Sequence, residues 1–220
     1  MQLRDVVLAR RMVRSYDSTR PVPRETIDEL LRLAMRAPSA GHTQGWQFLV
    51  LDDITSRDRF WNATAQSGFP DPWLARVQSA PALIVVFSDR NAYLARYAEA
   101  DKGSTPPEEQ DWPVPYWHID AGMAAMILLL GVVEQGLGGL FFGIPGDRQD
   151  TFRKAFAVPE RLTPIGVVSL GYPAPDQRSP SLRRGRRPFE VSVAYGSFDA
   201  GSAGAGSAGA GSAEVWPADA

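Results

Sequence analysis

One long apolar stretch, residues 119–133, decides the architecture of this chain: Ile-Asp-Ala-Gly-Met-Ala-Ala-Met-Ile-Leu-Leu-Leu-Gly-Val-Val. It is shorter than the roughly 20 apolar residues that a bilayer requires, and Asp120 and Glu134 stand near its ends. A helix that is apolar on all sides is normally buried in protein. We therefore expect a helix from about Trp117 to Gln135, either at the centre of the core or in a dimer interface.

Shorter patterns on both sides of this stretch mix helices with strands. Helical spacing of apolar residues predicts helices over Leu3–Arg11, Arg24–Arg36, Thr55–Ala65 and Asp147–Phe156. Compact apolar runs predict strands over Trp46–Leu51, Ala82–Phe87, Leu140–Phe142 and Thr163–Gly171. Thr55 or Ser56 is the expected N-cap of the third helix. Because helices and strands do not alternate regularly, the predicted fold class is α+β.

The composition indicates one globular domain with a substantial core: 220 residues, 44% of them hydrophobic and 22% charged. A net charge of −2 supplies no long-range attraction to nucleic acid or to an anionic membrane. The absence of cysteine excludes disulfides, thiol catalysis and iron–sulfur clusters, and two histidines argue against a histidine-rich metal site. Because residues 1–5 lack an apolar signal core, we expect a cytoplasmic protein.

A change of composition separates a predicted domain, residues 1–198, from a tail, residues 199–220. Residues 201–213 are only Gly, Ser and Ala, which cannot bury a core. We expect them to form a flexible linker with an average span of about 20 Å. Two interpretations of the tail remain open. It is either a passive or artificial addition, or a tethered docking peptide that binds through Val215 and Trp216.

Two arginine clusters lie at opposite ends of the chain. The first is Arg10-Arg11-Met12-Val13-Arg14, and the second is Arg183-Arg184-Gly185-Arg186-Arg187. A guanidinium group suits a phosphate because it donates in a planar fork and keeps its charge. The glycine-rich residues 136–141 fail as a Gly-x-Gly-x-x-Gly motif and the chain has no Walker loop, so arginines must supply the charge. We therefore predict that the two clusters converge on one phosphate.

Together with Ala-Pro-Ser-Ala-Gly-His-Thr-Gln-Gly-Trp at residues 37–46, these clusters resemble the flavin-dependent nitroreductase family, from about Leu3 to about Ser197. The resemblance implies a central, mostly antiparallel sheet flanked by helices, with a long buried helix in the core or dimer interface. It also implies a homodimer that shares two FMN sites, to which the loop of residues 38–44 comes from the partner subunit. The cofactor-binding positions that it implies are Arg10, Arg11, Met12, Arg14, Pro38, Ser39, Ala40, His42, Gln44, Leu140, Phe142, Gly143, Arg184 and Arg186.

The same resemblance implies roles for some of these residues. Arg10, with Arg184 or Arg186, would bind the phosphate. Arg14 would lie beside N1 of the flavin ring, where a fixed cation stabilises the reduced form. The backbone N–H of Gly143, within a residue or two, would donate to flavin N5. The family commonly has Asn where His42 stands, so His42 is either a plain polar substitute or a proton source.

Residues 90–117 are polar and rich in proline and aromatic side chains, and we expect them to form a lid over the open face of the flavin. The candidate substrate-binding residues are Phe69, Trp73, Trp112, Tyr116 and Trp117. Aromatic rings at these positions would stack on a flat acceptor. The alternative is that these rings pack the lid onto the core.

The resemblance implies NADH or NADPH as the electron donor, ping-pong transfer through FMN, and an electron-poor acceptor such as a nitroaromatic, a quinone or a flavin. No catalytic side chain is expected, because the cofactor carries the chemistry. Dehalogenation, oxidation of a peptide heterocycle and fragmentation of the flavin are open alternatives within the same fold. A flavin-binding or storage module without turnover is another, and its flavin would not bleach with NADPH and menadione under anaerobic conditions.

Overall fold

The structure, a computed structural model, describes residues 1–65, 72–102, 112–176 and 183–198. The chain divides into two compact units, Met1–Asp176 and Gln177–Ala220. The first unit contains the sheet and the helices that cover it. In the described part of the second unit, one short helix spans Phe189–Ser192. The predicted domain boundary at residue 198 stays a prediction.

The first unit is built on a four-stranded sheet. Its strands are β1 (Trp46–Leu51), β2 (Ala82–Asp89), β3 (Gly138–Phe142) and β4 (Leu162–Gly171). They lie in the order β1-β2-β4-β3, and every neighbouring pair is antiparallel. The predicted antiparallel sheet is confirmed, with the bounds of β1 as predicted and with β2, β3 and β4 extended by one or two residues.

Seven α-helices surround this sheet within the described ranges of the first unit. They are α1 (Leu3–Ala9), α2 (Arg24–Ala34), α3 (Ile54–Thr64), α4 (Pro72–Val77), α5 (Arg90–Tyr97), α6 (Tyr116–Glu134) and α7 (Gln149–Ala155). The short helix of the second unit, Phe189–Ser192, is α8. The fold is α+β, as predicted. Helices α4 and α5 were not predicted.

Both faces of the sheet are covered. Alternate residues of β2 point to opposite faces, as the period of two requires. Ala82, Ile84 and Val86 join one core cluster with α2 and α6. Leu83, Val85 and Phe87 join a second cluster with α3 and α7. Because neighbouring strands lie on both sides of β2 and helices lie above and below it, all eight of its residues are buried.

Helix α6 is the predicted central helix. Ala121, Ala124 and Leu128 are fully buried in the first core cluster, and α6 packs against α2 and the sheet. By length and composition alone α6 is apolar enough to cross a membrane, but half of its most apolar window is buried in the protein, as in a core helix. The opposite side of α6 exposes Ile119 and Met126.

The start of α3 differs from the prediction. Asp53 is the N-cap, and its carboxylate accepts the backbone N–H of Ser56 at 2.9 Å. Hydrogen bonds from the side chain and from the backbone of Ser56 lower the pKa of Asp53. The expected caps, Thr55 and Ser56, lie inside the helix instead, because the carboxylate of Asp53 already accepts the free N–H of Ser56 in the first turn.

Candidate functional site

The first arginine cluster lies beside β3. The backbone N–H of Val13 donates to the carbonyl oxygen of Gly139 at 3.0 Å, and Met12 forms a parallel bridge to Gly139. A Cβ at Gly138 would lie 2.8 Å from the side chain of Val13, so this approach depends on glycine. The structure thus brings together two predicted parts of the site, residues 10–14 and residues 138–143.

Arg10 is half-buried, and its Nη1 atom is buried without a hydrogen-bond partner among the described residues. A buried cationic N–H without an acceptor is costly, and an anion would relieve that cost. The guanidinium of Arg10 therefore fits a phosphate group. Its neighbour Arg11 is exposed.

Arg14 and Met12 stabilise the segment that carries Arg10. The guanidinium of Arg14 donates to the carbonyl oxygen of Met12 at 3.1 Å, and its backbone N–H donates to the carboxylate of Asp176 at 3.1 Å. The side chain of Met12 packs on the second core cluster. Met12 therefore has a packing role, and its backbone is the part that lies beside β3. The role of Arg14 beside flavin N1 stays a prediction.

The far end of β3 is open. Leu140 is buried in the second core cluster, and the ring of Phe142 stacks on Trp61 with centroids 5.8 Å apart. Gly143 follows β3 directly and is exposed, and a Cβ at this position would meet nothing within 4 Å. A planar ligand could approach the backbone at Gly143 closely. The predicted N5 contact therefore has room at Gly143, and the donor role of Gly143 stays a prediction.

Residues 38–44 form a compact loop with unusual backbone conformations. Gly41, His42 and Gln44 have positive φ angles of 62°, 55° and 54°. Two of these residues are not glycine, and residues with a side chain rarely adopt the left-handed region of backbone angles. The hydroxyl of Ser39 accepts the backbone N–H of Gln44 at 2.9 Å, and the amide of Gln44 donates to Nε2 of His42 at 3.0 Å. The side chains of Pro38, His42 and Gln44 are exposed, whereas Ala40 is half-buried.

Three residues that the sequence analysis missed hold this loop. The buried carboxylate of Asp120 accepts the backbone N–H of Ala40 at 2.8 Å and the hydroxyl of Tyr93 at 2.7 Å. Burial and the bond to Asp120 raise the pKa of Tyr93, so the hydroxyl stays protonated and donates. Arg96 donates to the carbonyl oxygen of Gly41 at 2.9 Å. The sequence signal that could have identified this contact is the carboxylate of Asp120 inside an otherwise apolar helix, because a buried carboxylate needs hydrogen-bond donors from other elements.

Within one chain the loop lies far from the first arginine cluster. Trp46, which follows the loop, pairs with Ser88 near the end of β2. Gly139 pairs with Leu170, which pairs with Ala82 at the start of β2. The loop and the cluster thus lie at opposite edges and opposite ends of the sheet, on the order of 25 Å apart by strand spacing and rise. One chain does not bring its own loop to its own Arg10.

The aromatic residues of the predicted lid pack on one another. The ring of Trp112 lies 4.7 Å from that of Tyr97, 5.8 Å from Tyr116 and 6.1 Å from Trp117. This arrangement matches the alternative in which the rings fasten the lid to the core. Tyr116 and Trp112 are half-buried and Trp117 is buried. Phe69 and the side chain of Trp73 lie outside the described residues, and substrate binding by all five stays a prediction.

The second arginine cluster belongs to the second unit. Its four arginines are exposed, and Gly185 between them has a positive φ of 64°. Arg184 and Arg186 are therefore accessible to a ligand. Their convergence with Arg10 on one phosphate stays a prediction.

A profile of the nitroreductase family matches residues 7–172. The chain belongs to the nitroreductase family. It is 30% identical to a Methanothermobacter thermautotrophicus protein provisionally named NADH dehydrogenase/NAD(P)H nitroreductase, over 79% of this chain and 78% of that protein. This nitroreductase-family chain is also 28% identical to an iodotyrosine deiodinase of Haliscomenobacter hydrossis, over 80% of this chain and 81% of the other.

Solved structures share the fold of this nitroreductase-family chain. A Desulfovibrio desulfuricans protein, solved in complex with FMN, superposes with a TM-score of 0.66 at 24% identity, over 90% of this chain and 99% of that one. The predicted family and α+β fold are thus confirmed, and with them the class of enzyme, an oxidoreductase.

Proposed function

We propose that the protein is an FMN-dependent oxidoreductase that takes electrons from NADH or NADPH in a ping-pong reaction. The proposed acceptor is an electron-poor compound such as a nitroaromatic, a quinone or a flavin. One observation carries the cofactor assignment: Nη1 of Arg10 is buried and has no hydrogen-bond partner in the described part of the chain, and Arg10 lies two residues before the bridge from Met12 to β3. Bound FMN would supply the two-electron chemistry, so the protein needs no catalytic dyad.

The residues of this chain would bind and orient the cofactor. Arg10, with Arg184 or Arg186, would bind the phosphate. Arg14 would place a positive charge near the ring and favour its reduced, anionic form. The open backbone at Gly143 would let the ring approach β3, and His42 and Gln44 would donate to polar atoms of the ring.

We further propose a homodimer whose two sites each use both subunits. The distance between the loop and Arg10 in one chain supports this, because a loop from the partner can lie where the chain's own loop does not reach. Large apolar side chains are exposed on α6 and on the two helices that pack against it, namely Ile119, Met126, Leu3, Val7, Leu33 and Met35. Such a surface is typical of an interface.

Reductive dehalogenation is the second candidate, favoured by the resemblance to the deiodinase of Haliscomenobacter hydrossis. It would use the same cofactor site and the same electron donor. The two functions differ in the acceptor, and thus in residues that cover the open side of the site. A halogenated phenol such as an iodotyrosine is the appropriate probe.

The test begins with the absorption spectrum of the purified protein and the identity of the chromophore it releases. The yellow protein is then mixed with NADH or NADPH without oxygen, followed by menadione, a nitroaromatic or an iodotyrosine in separate samples. We expect the colour to bleach and then to return with one class of acceptor. A bound flavin that never bleaches would support a storage module, and a protein without flavin would contradict the proposal.

A further inference from the structure

The burial of Asp120 has an unfavourable desolvation free energy. Asp120 is 2% exposed and lies in the most apolar helix of the protein. A buried carboxylate is tolerated only when donors compensate for the lost water, and an apolar side chain would usually be as stable there. Both described donors to Asp120, the N–H of Ala40 and the hydroxyl of Tyr93, reach the same oxygen, Oδ2, and both come from outside α6. The carboxylate therefore serves the loop and α5 rather than its own helix.

The loop needs such support. Left-handed conformations at His42 and Gln44 are unfavourable for residues with a side chain, and they persist only where the surroundings impose them. The surroundings here come from α5 and α6. A Cβ at Gly41 would lie 2.8 Å from the ring of Tyr97, and one at Gly45 would lie 2.4 Å from the ring of Tyr93. The loop is thus hydrogen-bonded to α6 through Ala40 and packed against α5 at Gly41 and Gly45.

A second hydrogen bond to the loop comes from α5. Arg96 donates through Nε to the carbonyl oxygen of Gly41, and its two Nη atoms each lie 2.7 Å from the carboxylate of Asp101. The bonds to Arg96 lower the pKa of Asp101 to about 2, so the pair is ionised at neutral pH. The Nε–H of Arg96 is thereby aimed at Gly41. The start of the predicted lid and the loop share this one guanidinium.

The contacts of the loop with α5 and α6 fix the arrangement of His42 and Gln44. Their side chains are exposed and hydrogen-bonded to each other at 3.0 Å. This hydrogen bond orders the two side chains relative to each other, and its direction depends on the tautomer of His42. A polar pair that is already ordered loses little entropy when it binds a ligand.

We propose that Asp120 is a positioning residue, which acts with Tyr93 to hold residues 39–44 in the left-handed shape that presents His42 and Gln44 to FMN. This inference rests on the proposed function for the identity of the ligand. The shape of the loop itself does not depend on the ligand, because every contact above lies within one chain.

The experiment compares Asp120→Asn and Tyr93→Phe with the wild type. Tyr93→Phe removes the hydroxyl and keeps the ring that packs on Gly45. The matched control is Val77→Ala, which opens space in the second core cluster, away from the loop. Three quantities are measured: amide hydrogen exchange of residues 39–45 in FMN-free protein, the Kd for FMN, and the visible circular dichroism of bound FMN. The Tm of each variant is recorded beside them.

We expect faster exchange at Ala40 and its neighbours, FMN binding weaker by about tenfold or more, and altered circular dichroism of the flavin in both loop variants. Val77→Ala should lower the Tm and leave the other three quantities unchanged. Because both changes act through one oxygen of Asp120, the double variant should bind FMN little more weakly than either single one.

Unchanged exchange and unchanged FMN affinity in both variants would overturn the inference. The inference would also be overturned if Val77→Ala lost as much affinity for FMN as the loop variants at an equal decrease in Tm. If Asp120→Asn does not fold, Tyr93→Phe and Arg96→Gln decide by the same measurements. Failure of the wild type to bind FMN would contradict the proposed function instead, and the exchange measurement on FMN-free protein would still test the positioning of the loop.

Discussion

At the scale of single residues, two charges organise the first unit from opposite corners of the sheet. Arg10 has a buried donor without an acceptor among the described residues, and Asp120 has a buried acceptor whose donors come from the loop and from α5. The sequence predicted Arg10 because arginines recur near it. It did not predict Asp120, since a single carboxylate in an apolar stretch gives no hint of which distant N–H it will meet.

Replacing Arg10 tests the phosphate site. Arg10→Ala should remove a charge-assisted contact of about 1.5–3 kcal/mol and weaken FMN binding by roughly 10- to 100-fold. Arg59→Ala, a change at an exposed arginine on α3, is the matched control and should bind FMN as the wild type does. The flavin content of the purified proteins and a fluorescence titration measure the difference. Equal FMN affinity in the two variants would remove Arg10 from the site.

Replacing Arg14 tests the proposed charge beside the flavin ring. Arg14→Ala should make bound flavin harder to reduce, with a midpoint potential about 30 mV more negative if the charge contributes about 1.4 kcal/mol. Arg14→Lys keeps the charge and should stay near the potential of the wild type. Redox titration of the bound flavin measures both. A potential that does not change in Arg14→Ala argues against this role.

At the scale of elements, the accuracy of the sequence analysis followed how far each element depends on its own residues. Strand β1 and helix α6 carry continuous apolar runs, so their bounds were predicted to within about a residue. Helix α5 was missed because only one side of it is buried, chiefly through Tyr93, and its N-cap, Asp89, belongs to β2. The loop of residues 38–44 takes its backbone angles from α5 and α6. No local pattern encodes those angles.

The N-cap of α3 gives a prediction on stability. Asp53→Ala should lower the Tm at pH 7, because the first turn loses the acceptor of the Ser56 N–H. The pKa of Asp53 is lowered in the folded state, so this stabilisation is present above the pKa of the unfolded chain, about 3.9, and is lost as the pH falls through the folded value. The difference in Tm between the two proteins should therefore shrink below about pH 4. A difference that is the same at pH 7 and pH 3 would contradict the role of the carboxylate.

At the scale of the whole molecule, sequence patterns predicted the family and the fold, whereas one chain does not bring all the predicted parts of the site together. The arginine cluster and β3 adjoin in space, as the shared cofactor predicted. The loop does not join them, because strand order puts β1 and β3 at opposite edges. Periodicity identifies strands and does not fix their order, so the residue pattern alone did not predict this separation; the family resemblance implied it, because it assigned the loop to the partner subunit.

An exposed methionine tests the proposed dimer. Met126 is 46% exposed on α6, and Met126→Asp should place a charge in the interface, convert the dimer to monomer and release FMN. Ile54→Asp is the control, because Ile54 is 68% exposed on α3, away from α6. Sedimentation and flavin content are measured on both proteins. A wild type that is monomeric and retains FMN would refute the shared site.

Because the loop and Arg10 lie at diagonally opposite corners of the sheet, subunits with different substitutions should complement each other in a mixed dimer. Suppose that an Arg10→Ala subunit pairs with an Asp120→Asn subunit. One site of the hybrid then combines both defects, and the other combines an intact arginine cluster with an intact loop. In the proposed dimer the two impaired parents would therefore complement each other, and the hybrid would have one site with the FMN affinity of the wild type where each homodimer has two weakened sites.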